Sequence, residues 1–155
     1  MRQFRGRLIA PVTVVTAGTA EQPVGLTISS LMVAEGDPGT VFMLVGNGTD
    51  LWEEVESSGK FVVHVVDDTM RDHGDAFAGF RPRPGGVFTD VEVEDTEWGP
   101  VIVDAPNRLS CSLVSNRALP FHHLVEANID QVELSDLANP AIYYRGTYRR
   151  LKERN

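Results

Sequence analysis

The sequence predicts a mainly β chain, an antiparallel barrel with two short helices appended, and three observations predict it. Short runs rich in Val, Thr, Ile and Phe recur about eight or nine times, separated by turn signals at the spacing of a barrel or sandwich. No sustained alternation of strand and helix patterns signals a parallel sheet, and no internal repeat is present. The 155 residues are 42% hydrophobic and 23% charged, enough to bury a core in one domain, taken as residues 1–155.

After a lead-in over residues 1–10, the first strand covers 11–17. Its Val12, Thr13, Val14, Val15 and Thr16 are β-branched and suit a half-buried pleated surface. Ala17-Gly18-Thr19 and Gln22-Pro23 supply turn chemistry. A second strand over 23–34 follows, with the polar stretch Thr27-Ile28-Ser29-Ser30 inside it and a turn at 36–39 after it. Residues 40–45, TVFMLV, are nearly all apolar and predict a central strand covered on both faces. Asp50 as N-cap with Glu53 as its capping-box partner opens a helix burying Leu51, Trp52 and Val55, and Gly59 ends it. A strand over 61–66, a helical piece over 68–78 and an irregular loop over 79–86 come next. Residues 87–93 alternate as a strand, 94–97 form an acidic turn, and strands follow over 101–105, 108–115 and 123–134, with a last short segment at 141–148.

Composition excludes several classes of function. A net charge of −8 argues against general nucleic-acid binding and against an anionic membrane surface. Basic spots remain at Arg2, Arg5, Arg7 and at Arg149, Arg150, Lys152, Arg154, read as solvated termini. Cys111 is the only cysteine, so no internal disulfide and no cysteine zinc site can form. No secretory h-region and no apolar run near about 20 residues is found, so a cytoplasmic chain is the simplest reading.

The motif search is mostly negative. Neither a P-loop nor a Rossmann glycine fingerprint is present. Ser29 and Ser30 lack the G-x-S-x-G context, so a triad with His64 or His122 has no support. His64, Asp67, Asp68, Asp72, His73 and Asp75 have metal-binding chemistry but fit no compact motif, and a solvated acidic helix start is the plainer reading. His122-His123 opens a strand, where histidine either sits idly at the surface or contacts a ligand and moves a proton near neutral pH. Trp52 and Trp98 read as packing residues. Arg81 and Arg83 can meet an anionic phosphate or simply be solvated.

Taken in order, the motifs resemble the flavin reductase-like family of FMN-binding split β-barrels. Pro11-Val12-Thr13-Val14-Val15-Thr16, Gly25-Leu26-Thr27-Ile28-Ser29-Ser30 and Asp37-Pro38 match its opening strands and turn. Phe61 to Val66, Phe77-Ala78-Gly79, Phe121 to Ile129 and Pro140 to Tyr148 match its later segments. Departures from the family pattern fall at Val33, Ala34, Glu35, Gly39, Gly48, His64, Phe121 and Ala127.

The resemblance implies a Greek-key split barrel, a homodimer, and NAD(P)H-dependent reduction of FMN, with FAD as the alternative flavin and NADH or NADPH as co-substrate. Reduced flavin would serve a partner monooxygenase. It implies a flavin ring edge against Thr27, Ile28, Ser29 and Ser30, and a ribityl-phosphate end near Asn47 and Thr49, with Arg81 or Arg83 as charge partner. Phe77, Ala78 and Gly79 would wall the pocket, and His122 would act as the catalytic residue that orients the nicotinamide. The departures at Val33, Glu35 and Gly48 motivate a second reading, a binding protein for flavin, haem or another planar ligand without turnover. No metal site is expected.

Overall fold

The computed structural model describes residues 2–151, so the expected basic residues Lys152 and Arg154 lie outside it. Twelve strands and three α-helices are present among the described residues. They are α1 (Arg2–Arg5), β1 (Ala10–Pro11), β2 (Thr13–Gly18), β3 (Pro23–Ile28), β4 (Leu31–Ala34), β5 (Gly39–Gly46), α2 (Asp50–Ser58) and β6 (Lys60–Val65). After a 3-10 turn at Asp68–Met70 come α3 (Arg71–Phe77), β7 (Val93–Thr96), β8 (Gly99–Ile102), β9 (Arg108–Ala118), β10 (His122–Glu133), β11 (Ile142–Tyr144) and β12 (Thr147–Arg149).

Seven strands form one sheet in the order β3-β2-β6-β9-β10-β5-β4, antiparallel throughout. Its two edge strands are consecutive in sequence, joined only by Ser29-Ser30. A flat seven-stranded sheet is about 29 Å across. The three peptide units from Ile28 to Leu31 span at most about 11 Å. The sheet must therefore curl until its edges meet, which makes it a split barrel. The sequence reading of one continuous strand over 23–34 is corrected here: β3 pairs with β2, β4 pairs with β5, and the two serines are the crossing point.

The barrel interior is filled by Val15, Val41, Met43, Val45, Phe61, Val63, Cys111 and Val125, and α2 plugs it with Leu51, Trp52 and Val55. A second apolar cluster covers the outside of β2 and β6 with Val12, Val14, Val66, Met70, Phe77, Ile102 and Ala141. β2 is thus buried on both faces, and its Thr13 and Thr16 hydroxyls donate to the Ile28 and Pro100 carbonyls. His64 on β6 is also fully buried. Its Nδ1 meets the Val14 carbonyl at 3.1 Å, and its Nε2 accepts from the Ile102 N–H at 3.1 Å. Burial pushes the His64 imidazole down to about 4, opposed in part by the Val14 carbonyl. Burial likewise pushes the Cys111 thiol up to about 12.

Several local expectations are corrected. β5 is covered on one face only: Val41, Met43 and Val45 point inward, while Thr40, Phe42 and Leu44 face outward and are half-buried. Thr49, not Asp50, is the N-cap of α2, its hydroxyl accepting from Trp52 N–H at 3.3 Å. Gly59 ends that helix with φ +71°. Residues 87–90 form a turn and 91–92 stay irregular instead of continuing a strand, because Asp90 takes φ +62° and breaks the extended backbone. The strand starts instead at Val93, and the expected acidic turn becomes β7. A third helix, α1, stands in the lead-in.

Candidate functional site

A cavity of about 1280 Å³ lies where the split barrel opens. Leu26, Thr27, Ser29, Ser30 and Leu31 at the β3–β4 crossing form one wall. Phe42 and Leu44 of β5 and Leu124 of β10, from the outer sheet face, form the next. Ala78 and Phe80 after α3, Tyr143 and Tyr148 of the β11–β12 hairpin, and residues of the N-terminal segment complete it. The N-terminal segment is tied across by two bonds. Arg5 donates to the Ser29 hydroxyl at 3.2 Å, and the Arg145 N–H donates to the Gly6 carbonyl at 2.9 Å.

The hydrogen-bond state of the crossing sets its chemistry. The Thr27 hydroxyl donates to the Gly74 carbonyl at 2.7 Å, and the Ser30 hydroxyl donates to the Leu44 carbonyl at 3.3 Å. Both can then only accept from a ligand. The Ser29 hydroxyl accepts from Arg5 and keeps its own proton free to donate. Among the described residues, no carbonyl accepts from the backbone N–H of Ser29 or Ser30. The crossing therefore offers donors and acceptors side by side on rigid strand ends. The apolar walls of Leu26, Leu31, Phe42, Leu44 and Leu124 flank it. This pattern fits a flat ring with alternating donor and acceptor atoms on one edge, such as an isoalloxazine.

Of the residues expected at the site, Thr27, Ser29, Ser30 and Ala78 line this cavity. Ile28 turns inward and is buried in the barrel core. Phe77 lies behind the wall in the second cluster, edge-on to Phe88 at 4.9 Å. Gly79 takes φ +75° just past the end of α3. Arg81 pairs with Asp72 at 2.7 Å and Asp75 at 3.6 Å, and Arg83 donates to the Thr89 carbonyl at 3.0 Å. Neither arginine lines the cavity.

Asn47, Thr49 and His122 form a second group. The Asn47 amide donates to the Leu119 and Pro120 carbonyls at 3.2 Å each and thereby fixes the β9–β10 turn. Thr49 caps α2 and donates to the Gly46 carbonyl at 2.9 Å. His122 pairs with Gly46, two residues beyond the Leu124–Leu44 pair. Residues two apart on a strand share a face, so His122 stands on the cavity side, about 7 Å beyond Leu124. Its neighbour His123 stacks on Trp52 with ring centroids 4.0 Å apart.

The sequence reading assigned no site role to Arg5, Arg7 and Arg145, which line the cavity. No local motif marks them, since they come from opposite ends of the chain. The metal reading finds no support in geometry: no group of three or more His, Cys, Asp or Glu lies together among the described residues. Asp68 is instead bound by Arg71 and Arg150. Burial would raise its carboxyl, but the hydrogen bonds from Arg150 and Arg71 hold it below the usual carboxylate range. No helix of the described residues is long and apolar enough to cross a membrane.

Comparison with known proteins places these features in context. A family description, flavin reductase like domain, matches residues 5–152. The NADH-dependent FMN reductase AsuE2 of Streptomyces nodosus subsp. asukaensis is 28% identical over 155 residues, covering 98% of this chain and 84% of that protein. The reductase component of the 4-hydroxyphenylacetate 3-monooxygenase of Thermus thermophilus is 28% identical, covering 97% and 94%. Among solved structures, flavin reductase PheA2 in its native state superposes with a TM-score of 0.86 at 25% identity, covering 98% of both chains.

Proposed function

This chain belongs to the flavin reductase like domain family, and on that basis we propose that it is an NAD(P)H-dependent flavin reductase. FMN is its flavin, with FAD as the alternative, and its product is reduced flavin for a partner monooxygenase. The observation that carries this reading is the β3–β4 crossing, where Ser29 keeps a free hydroxyl proton and Thr27 and Ser30 keep free lone pairs. When bound, the flavin supplies the hydride acceptor. The protein's work is to bind and orient. Ser29 and the backbone N–H groups beside it donate to the ring edge, while Thr27 and Ser30 accept from it. Leu31, Phe42, Leu44 and Leu124 keep water from the ring. His122, on the cavity side of β10, positions the nicotinamide; hydride transfer needs alignment more than a strong acid or base.

The same reading includes a homodimer in the cytoplasm. Met32, opposite the outward-facing Phe42, is 66% exposed, and Phe121, in the β9–β10 turn, is 79% exposed. A second copy would cover them. Light scattering after size exclusion tests this, and a monomer at micromolar concentration refutes it. The binding-protein reading rests on Val33, Glu35 and Gly48, and none of these lines the cavity.

The deciding experiment mixes the purified protein with NADH or NADPH and follows the nicotinamide absorbance with and without FMN. Flavin-dependent consumption is the expected result. Consumption indifferent to FMN and to FAD overturns the proposal.

A further inference from the structure

The cavity differs in charge from the rest of the molecule. The chain carries 22 Asp and Glu against 14 Lys and Arg, yet no carboxylate lines the cavity. Arg5, Arg7 and Arg145 do. None of the three pairs with a carboxylate among the described residues, whereas Arg71, Arg81, Arg108 and Arg150 all do. An acidic protein that leaves three guanidinium groups unneutralised around one cavity holds an electrostatic site for an anion there.

Two of the three arginines are also held in place. Arg5 is fixed by its bond to Ser29, and Arg145 by its N–H on Gly6 and by its position over the Tyr144 ring at 5.3 Å. Arg145 takes φ +51°, the left-handed conformation that the tight β11–β12 turn requires. The hairpin and the N-terminal segment therefore present their cations together, from two ends of the chain tied by one backbone bond.

We infer that Arg5, Arg7 and Arg145 form a phosphate-receiving rim beside the crossing, for a phosphate of the flavin or of the pyridine nucleotide that meets it in this cavity. Guanidinium groups suit this task because their planar donor forks match phosphate oxygens two at a time. The rim assigns phosphate recognition to residues other than Arg81 and Arg83, whose charge Asp72 and Thr89 already engage. This inference rests on the flavin reading of the same cavity, and it concerns which part of the ligand the arginines hold.

The test compares equilibrium affinities of the wild type and the double variant Arg7→Gln, Arg145→Gln, which leaves the Arg5–Ser29 bond of the crossing in place. Flavin fluorescence quenching reads riboflavin, FMN and FAD, and calorimetry reads NADH and NADPH. Riboflavin carries the ring without phosphate, so it controls for the crossing itself. The expected result is unchanged riboflavin affinity with a loss of at least about 10-fold for a phosphate-bearing ligand, the size of one lost charged hydrogen bond or more. A loss confined to FMN and FAD assigns the rim to the flavin phosphate. A loss confined to NADH and NADPH assigns it to the pyridine nucleotide. The wild-type affinity for the affected ligand should also fall with added salt. Equal losses for riboflavin and FMN with nicotinamide affinities unchanged, or no loss for any ligand, overturn the inference. If the wild type itself binds no flavin, the flavin reading of the cavity has failed instead. Single variants at Arg7 and Arg145 keep the test decisive should the double variant not fold.

Discussion

Acidification should destabilise this protein through His64, and the size of the effect follows from its surroundings. Nδ1 donates to the Val14 carbonyl and Nε2 accepts from the Ile102 N–H, so the neutral ring uses both nitrogens. A second proton would have to go on Nε2, against an N–H that already points at it. Burial is the largest cause holding the group down, from 6.5 to about 4; Arg108 adds to it, while the Val14 carbonyl and Glu133 oppose it. In the unfolded chain the histidine titrates near its ordinary value, so between the two values the unfolded state binds more protons. The stability that neutral His64 contributes is complete above about pH 6.5 and is lost as pH falls toward about 4. At roughly 1.4 kcal/mol per unit, the loss is about 3 kcal/mol, a large share of a stability of about 5–15 kcal/mol. Carboxylates such as Asp68 and Glu133, held low by arginines, also titrate on the acid side. The assay must therefore isolate the histidine. Urea unfolding from pH 7.5 to 4.5, at fixed protein concentration, is compared between wild type and His64→Asn. The wild type should lose about 2.5 kcal/mol more than the variant over that interval. Parallel stability profiles would refute the assignment of a buried neutral imidazole.

Three further predictions concern the site and its supports. Thr49→Ala removes the α2 cap and should cost about 1 kcal/mol in urea unfolding; if its only role is the cap, FMN affinity stays unchanged, and a tenfold weaker FMN binding would show a direct contact. Gly25→Ala puts a methyl 2.8 Å from Phe77 Cε1 and 3.0 Å from Phe88 Cζ, and this overpacking should lower stability by about 1–3 kcal/mol; a Tm at or above wild type would contradict the packing described. Ser29→Ala removes the one crossing hydroxyl with a free proton and should weaken flavin binding about 3- to 10-fold with little change in Tm; unchanged affinity would count against the ring edge lying there.

How far the sequence alone reached can be judged residue by residue. Local patterns were legible because their causes are local. The β-branched run at Val12 to Thr16, the apolar face Leu51, Trp52 and Val55, and Gly59 as helix stop depend on neighbours within a turn or a strand. The helix start was misread by one residue, since Thr49 and Asp50 both suit an N-cap and only the extended backbone at Thr49 selects it. The 87–93 alternation failed because Asp90 takes a backbone conformation that no period reveals.

The order of motifs from Pro11 to Tyr148 determined the family and the polar stretch at Thr27–Ser30 by itself, because both are written in contiguous residues. The tertiary structure decided the rest. It split one predicted strand at Ser29-Ser30, since a closing sheet must join its two edges somewhere. It gave Arg81 to Asp72 and turned Ile28 inward. It brought Arg5 and Arg7 beside Arg145. Which side chains converge on one cavity depends on long-range strand pairing and curl, and neither leaves a trace in residue spacing.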